Sequence, residues 1–393
     1  MKNFIYYAPT KVIFGKDAEN QVGSTVSAAG YRKVMVHFGG GSVKKSGLLD
    51  IVTASLSDAG ISYVEFGGVE PNPKISLVRE GIALAKREAV DMIVAVGGGS
   101  VIDSAKSICL GLAHGLDPWD MIENGTVPTK RFPLAVVLTI SAAGSEMSNS
   151  HVISNPEKHL KRPLNSDMLR PDFSFQNPDY TMSVSPYQTA CGIVDTMMHT
   201  MERYYTPDTD NDLTDRISEG LLVAVKNAGK VAMENPQDYE ARATLMWASS
   251  VSHNGLTACG KAPSFPAHKI EHDVSGLHDE VSHGAGLAVI FPAWARYVYK
   301  HDVRKFAQGA ERIWGVEMDY DHPERTAEQG IVAMKEYFKS LGMPVTMKEL
   351  GIDPAEYQTL ADMTTYGNTK PLPSYVALGS EEIVEIFKLA SEY

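Results

Sequence analysis

Residues 91–113, DMIVAVGGGSVIDSAKSICLGLA, constrain the fold more than any other stretch of the chain. A short apolar, β-branched run reads as a strand buried on both faces, and such strands belong to parallel sheets covered by helices. KVMVHF (33–38), SYVEF (62–66) and LAVVLT (134–139) carry a similar signal. Amphipathic segments such as SLVREGIALAKREA (76–89) separate them. This alternation predicts an α/β domain with a parallel sheet over residues 1–180.

After NPDYTMSVSP (177–186) the strand signals nearly vanish, and helical periodicity takes over at 186–205, 212–234, 238–258, 325–342 and 380–391. Pro178, Pro186, Pro236, Pro263 and Pro266 punctuate this half at helix starts and turns. Residues 181–393 are therefore expected to form an all-helical domain, with a ligand-binding cleft against the first. A chain of 393 residues, 44% hydrophobic and 21% charged, can fill both cores. Its formal net charge of −12 argues against nucleic acid as a partner. Cys109, Cys191 and Cys259 lie too far apart in sequence for a disulfide framework or a cysteine-built zinc site, which fits a reducing, cytoplasmic setting. Neither a signal peptide nor a membrane helix is expected from the apolar runs.

Gly97, Gly98, Gly99 and Ser100 stand where a strand hands over to a helix. Backbone amides there, together with the helix N-terminus, make a seat for a phosphate; a tight turn is the plainer reading. The pattern is neither GxGxxG nor a P-loop. A second strand ends at Gly39, Gly40, Gly41 and Ser42, where an acidic residue would grip the ribose of NAD. Small residues followed by Lys44 and Lys45 leave room for a 2′-phosphate. This favours NADP(H) and keeps NAD(H) open, although such lysines are most often simply solvated. LTISAAGSEMSNS (138–150) ends a third strand, where Thr139 and Ser141 could reach a nicotinamide or a phosphate, or Ser145 or Ser148 could cap a helix.

The helical half holds a second constellation. GIVDTMMHTMERYY (192–205) sets Asp195 and His199 four residues apart, on one helix face among apolar neighbours. PAHKIEHDVSGLHDEVSHGAGLAVIFP (266–292) holds four of the chain's twelve histidines, His268, His272, His278 and His283. A buried Asp–His hydrogen bond would account for the first pair alone. Two helices that each offer an i,i+4 pair, with a histidine entering a third helix, can instead surround one divalent ion. Three imidazoles and one carboxylate suit Fe2+ or Zn2+ and leave a position for a substrate oxygen. HExxH is absent, so a metalloprotease is excluded.

In their order, GGGSVIDSAK, TISAAGSEM, CGIVDTMMHTMERY and HKIEH…HGAGLAVIFP resemble the iron-containing, group III alcohol dehydrogenases, and within them the branch of butanol dehydrogenases and NADPH-dependent aldehyde reductases. The resemblance runs end to end. It implies a Rossmann-like domain followed by a helical one, in the dehydroquinate synthase-like architecture. It implies Asp195, His199, His268 and His283 as metal ligands, and Gly97, Gly98, Gly99 and Ser100 as the pyrophosphate turn. Gly39, Gly40 and Ser42 match the adenosine end, Asn72 a residue lining the cofactor site, and Thr139, Ser141 and Ala142 the strand end beside the nicotinamide. Lys161 matches a cofactor-contacting lysine, for which plain exposure is the alternative. The stretch from His268 to His283 is one residue longer than the family pattern, which makes His278 a rival ligand; the HGAGLAVIFP continuation favours His283.

The activity implied is interconversion of small primary alcohols and aldehydes, of the butanol and butanal type. The metal serves as a Lewis acid and hydride passes to or from nicotinamide. His272 is the expected proton relay, with a supporting structural role as its rival. A homodimer is implied by the resemblance alone. The competing enzyme class is a metal-dependent lyase or cyclase of the dehydroquinate synthase type, which would need a basic pocket. The ligand region here is instead rich in Met, Phe and Trp.

Overall fold

The computed structural model describes residues 1–208 and 210–392. In chain order the first elements are β1 (Lys11–Phe14), α1 (Val22–Ala28), β2 (Lys33–Phe38), α2 (Ser42–Lys45), α3 (Leu48–Asp58), β3 (Ser62–Phe66) and α4 (Ile75–Glu88). They are followed by β4 (Met92–Gly97), α5 (Gly99–His114), α6 (Pro118–Glu123), β5 (Leu134–Leu138), β6 (Ser150–Asn155), β7 (Leu160–Asn165) and β8 (Phe173–Gln176). Helices then take over: α7 (Pro186–Tyr204), α8 (Asp212–Glu234), α9 (Tyr239–His253), α10 (Pro266–Leu277) and α11 (His283–Val298). The last are α12 (Val303–Gly309), α13 (Pro323–Ser340), α14 (Tyr357–Thr365) and α15 (Ser380–Leu389).

Six strands form one parallel sheet in the order β1-β8-β5-β4-β2-β3. Every residue of β4 and β5 is buried, which is why these central strands show unbroken apolar runs. The sequence reading misses β1, β6, β7 and β8. β1 is a half-exposed edge, and β8 carries the buried polar residues Ser174 and Gln176. Gln176 is satisfied there by donating to the hydroxyls of Ser174 and Ser250, each at 3.0 Å. From β2 the chain runs outward to β3, then returns to β4 and continues the other way. The carboxyl ends of β2 and β4 therefore flank the point where the winding reverses, the usual seat of a ligand in such sheets.

The chain divides into two compact units. One comprises Tyr7–Val184 and Gln237–Asn254; the other comprises Met1–Tyr6, Ser185–Pro236 and the chain from Gly255 onward. Helix α9 thus belongs with the sheet, a return that chain order alone does not reveal. Its Ser249 hydroxyl accepts from the Ala142 N–H at 3.1 Å and donates to the Ala142 carbonyl at 3.0 Å. In the second unit no strand occurs among the described residues. Helix α7 is buried from Thr189 through Tyr204 and forms its centre, with α8 and α11 packed on it. No helix among the described residues is long and apolar enough to cross a membrane.

Candidate functional site

Helix α7 is set by the Ser185 hydroxyl, which accepts from the Gln188 N–H at 3.3 Å, and by Pro186 in its first turn. Helix α10 begins after Phe265, which holds a left-handed backbone (φ 55°), again with a proline in the first turn. The start of α11 lies almost backbone-on-backbone against α7. A Cβ at Gly284 would stand 2.2 Å from the Cys191 carbonyl oxygen, so only glycine permits this approach. The first residue of α11, His283, is brought in this way to the face of α7 that carries Asp195.

The result is a convergence of donors. Oδ1 of Asp195 lies 3.3 Å from Nδ1 of His199, 3.7 Å from Nε2 of His268 and 3.8 Å from Nε2 of His283. Donors about 2.1 Å from a tetrahedral ion stand roughly 3.4 Å apart. Asp195, His199 and His268 offer atoms all within 4.8 Å of one another, a spacing of the right size for one divalent cation, and His283 adjoins them through Asp195. Asp195 Oδ1 and His268 Nε2 are buried and complete no hydrogen bond among the described residues. Lone pairs turned toward each other in a buried site call for a positive charge between them. Burial would depress the pKa of His268, but the carboxylates of Glu202 and Asp195 outweigh that cost and push it up to about 9, so the nest attracts positive charge.

His272 is buried beside this group, its ring 5.5 Å from that of His283 and 6.4 Å from that of His268. His278 is elsewhere: at the end of α10 it faces Glu356 at 2.6 Å and Glu280 at 3.4 Å. Between the rivals, His283 is the one that stands at Asp195. Sequence reasoning missed Glu202 and Glu271, which hold Nδ1 of His268 and His283 respectively. The available signal was their spacing: Glu202 is two helical turns beyond Asp195, and Glu271 one turn from His268.

The cofactor candidates gather at the carboxyl ends of β2, β4 and β5. Gly97 ends β4, Gly98 precedes α5, and Gly99 and Ser100 form its first turn. A Cβ at Gly98 would meet the Ile140 side chain at 2.3 Å, and one at Gly97 would meet Val101 at 2.6 Å. The glycines thus keep the turn thin at the positive end of a helix of 16 residues. Gly39 and Gly40 follow β2, and Ser42 opens α2. Thr139 follows β5, its N–H donating to the Gly97 carbonyl at 3.2 Å, while Ser141 and Ala142 continue the same loop. Asn72 takes a left-handed backbone (φ 52°).

Lys161 lies in β7 of a regular hairpin and is buried, which removes plain exposure as the alternative reading of this residue. It pairs across the hairpin with Ser154, whose N–H donates to the Pro73 carbonyl at 2.9 Å, so it shares a neighbourhood with the Asn72 loop. Two residues of α5, the half-buried Asp103 and the buried Lys106, organise the loop after β5. Asp103 accepts from the Ser145 hydroxyl at 2.6 Å and the Val152 N–H at 2.9 Å. Lys106 donates to the carbonyls of Ser148 and Ser150 at 3.0 and 2.7 Å. Ser145 and Ser148 therefore serve this loop and do not cap a helix.

A parallel sheet with a glycine turn at its winding reversal, and a helical unit holding an Asp–His₃ nest, suit an enzyme that uses a dinucleotide and a divalent metal. Residues 9–178 match the model of the iron-containing alcohol dehydrogenases, and residues 189–391 match the C-terminal model of the Fe-containing alcohol dehydrogenase family. The chain belongs to the iron-containing alcohol dehydrogenase family. It is 40% identical to NADH-dependent butanol dehydrogenase A of Clostridium acetobutylicum, over 99% of both chains. It is 34% identical to the NADPH-dependent aldehyde reductase YqhD of Escherichia coli, over 90% of both. The crystal structure of NADH-dependent butanol dehydrogenase A from Thermotoga maritima superposes with a TM-score of 0.95 at 36% identity, covering 100% of this chain and 99% of that one. The protein is thus an NAD(P)-dependent enzyme that interconverts alcohols and aldehydes. This decides against the lyase alternative.

Proposed function

We propose that the chain reduces small unbranched aldehydes such as butanal, and oxidises the corresponding primary alcohols, with Asp195, His199, His268 and His283 holding one Fe2+, a site whose donors also suit Zn2+. The observation that carries the reading is the convergence of three imidazole nitrogens on Asp195 Oδ1 within 3.8 Å. When bound, the ion supplies Lewis acidity to a carbonyl or hydroxyl oxygen. His272, buried beside His283, is placed to hold or pass the proton exchanged with the substrate oxygen. Met, Phe and Trp side chains of the helical half make its interior suited to an alkyl chain rather than to an anion.

In this reading residues 1–180 bind the dinucleotide and residues 181–393 bind metal and substrate. Gly97, Gly98, Gly99 and Ser100 receive the pyrophosphate. Gly39, Gly40 and Ser42 receive the adenosine end, with Asn72, Thr139, Ser141, Ala142 and Lys161 completing the cofactor contacts. No carboxylate occurs from Gly39 to Gly47, while Lys44 and Lys45 are exposed there, which supports NADPH over NADH. Free, widely spaced cysteines support a cytoplasmic enzyme. Phe4 and Ile5, 51% and 95% exposed, support a homodimer that covers them.

The test is to chelate the protein, restore Fe2+ or Zn2+ separately, and follow NADPH and NADH oxidation with butanal. Metal-dependent oxidation, faster with NADPH, is expected. Asp195→Ala should lose metal and activity together, while His272→Ala should keep its metal and lose roughly 10²-fold or more in kcat. Full metal occupancy in Asp195→Ala would refute the ligand set.

A further inference from the structure

We infer that Glu202 and Glu271 are the positioning carboxylates of the metal centre, each fixing the tautomer and direction of one histidine. The inference rests on the reading of Asp195, His268 and His283 as ligands. Both glutamate side chains are completely buried, and a buried carboxylate persists only where it is paired. Glu202 pairs with Nδ1 of His268, and Glu271 with Nδ1 of His283. In both cases the other nitrogen, Nε2, is the atom turned toward Asp195 Oδ1, at 3.7 and 3.8 Å. A carboxylate on Nδ1 keeps the proton there, leaves the Nε2 lone pair for a cation, and makes that nitrogen a stronger donor.

The surrounding sequence makes room for both. Helix α10 begins without a side-chain cap of its own. Glu202 supplies one from α7, accepting from the N–H groups of Ala267 at 2.7 Å and His268 at 3.3 Å. One residue therefore sets both the end of the helix and the ring it presents. Glu271 is admitted by a glycine: a Cβ at Gly286 would stand 2.7 Å from its Cγ and 3.0 Å from its Oε1. With Asp195, these residues place three carboxylates around a divalent ion and its imidazoles.

The discriminating variants are Glu202→Gln and Glu271→Gln, because glutamine keeps the shape and one accepting oxygen but removes the charge. Chelated wild type and variants are titrated with Co2+ and Zn2+ against a competing chelator, and the visible bands of the Co2+ form are recorded. Each variant is expected to bind about 10- to 100-fold more weakly and to shift those bands. Affinities within about twofold of wild type and unchanged spectra, with Asp195→Ala still losing the metal, would overturn the inference and leave the ligand set standing. Retention of metal by Asp195→Ala would overturn both. Should a variant not fold, the Zn2+-loaded wild type with ¹⁵N-labelled histidine answers alone. Two slowly exchanging, downfield Nδ1–H protons are expected, and rings protonated at Nε2 would refute the assignment.

Discussion

The proposed metal nest and the glycine turns solve opposite problems. At the nest, chemistry resides in side chains: three imidazoles and three carboxylates, almost all buried, each held by another. At the turns, chemistry resides in the backbone, and side chains matter by being absent. Glycine serves both regions differently. Gly284 lets two helices approach so that a histidine arrives at Asp195, whereas Gly98 keeps a strand end clear of its neighbour. A substitution at the first should act through geometry at a distance from the chemistry, and one at the second should act on the ligand directly.

That contrast can be broken most forcefully at Gly284. In Gly284→Ala the new Cβ meets the Cys191 carbonyl oxygen at 2.2 Å, a backbone atom that cannot rotate away. The cost should be about 1–3 kcal/mol of stability, with loss of metal as His283 is displaced. In Gly98→Ala the obstacle is the Cγ2 methyl of Ile140 at 2.3 Å, a side-chain atom that a χ1 rotation can move aside. Metal content should be retained, while KM for the nicotinamide cofactor rises. Thermal unfolding, metal analysis and cofactor kinetics on the two variants check the pair. Equal metal loss in both would remove the distinction.

The two regions also differed in how far the sequence disclosed them. β4, its glycine turn and α5 were legible because burial on both faces and a backbone-only turn leave few alternatives. The i,i+4 spacing of Asp195 and His199 was legible as a shared face, but their meaning depended on His268 and His283, which only the packing of α7, α10 and α11 brings together. Glu202 and Glu271 carried a signal only in their spacing from Asp195 and His268, and it stays mute because a glutamate inside a helix reads as solvated until its burial is known. For Lys161 plain exposure stayed open for the same reason, and β8 was missed because a buried Gln–Ser network has no apolar signature. The return of α9 to the sheet is a tertiary contact without local pattern.

Buried histidines give a second way to sharpen the comparison. In the unit built on the sheet, His37 and His151 have no carboxylate partner among the described residues. His37 donates through Nδ1 to the Phe66 carbonyl at 2.8 Å and accepts at Nε2 from Ser104 at 2.9 Å, while His151 meets the Ser107 hydroxyl at 2.5 Å. Burial lowers their pKa values from 6.5 to about 4 and about 3. Below about pH 6.5 the unfolded chain therefore binds protons that the folded one refuses. Stability is fully present above that pH and falls as acid is added, on the order of 1.4 kcal/mol per pH unit for each histidine. The slope should end near pH 4 for His37 and near pH 3 for His151. Denaturant unfolding between pH 7 and pH 4 should show it, reduced in His151→Gln (~ one histidine's share). An unchanged slope in that variant would mean that His151 is not held neutral.

The smallest expected effect lies at the adenosine end, where the backbone rule meets an exposed charge. Lys44 is exposed, its ammonium 5.0 Å from the centre of the Phe38 ring, and a solvated contact of this kind contributes little. If it meets a 2′-phosphate, Lys44→Ala should raise KM for NADPH about two- to fivefold and leave that for NADH unchanged, the difference shrinking as salt is added. Ser42→Asp introduces the acidic residue that a ribose 2′-hydroxyl would use, and should turn the preference toward NADH. Both substitutions act on a side chain, in a region where the rest of the binding is backbone. If neither shifts the ratio of kcat/KM between the two cofactors, the choice is made by the fold of the turn itself, and the division between side-chain and backbone recognition extends to the whole cofactor site.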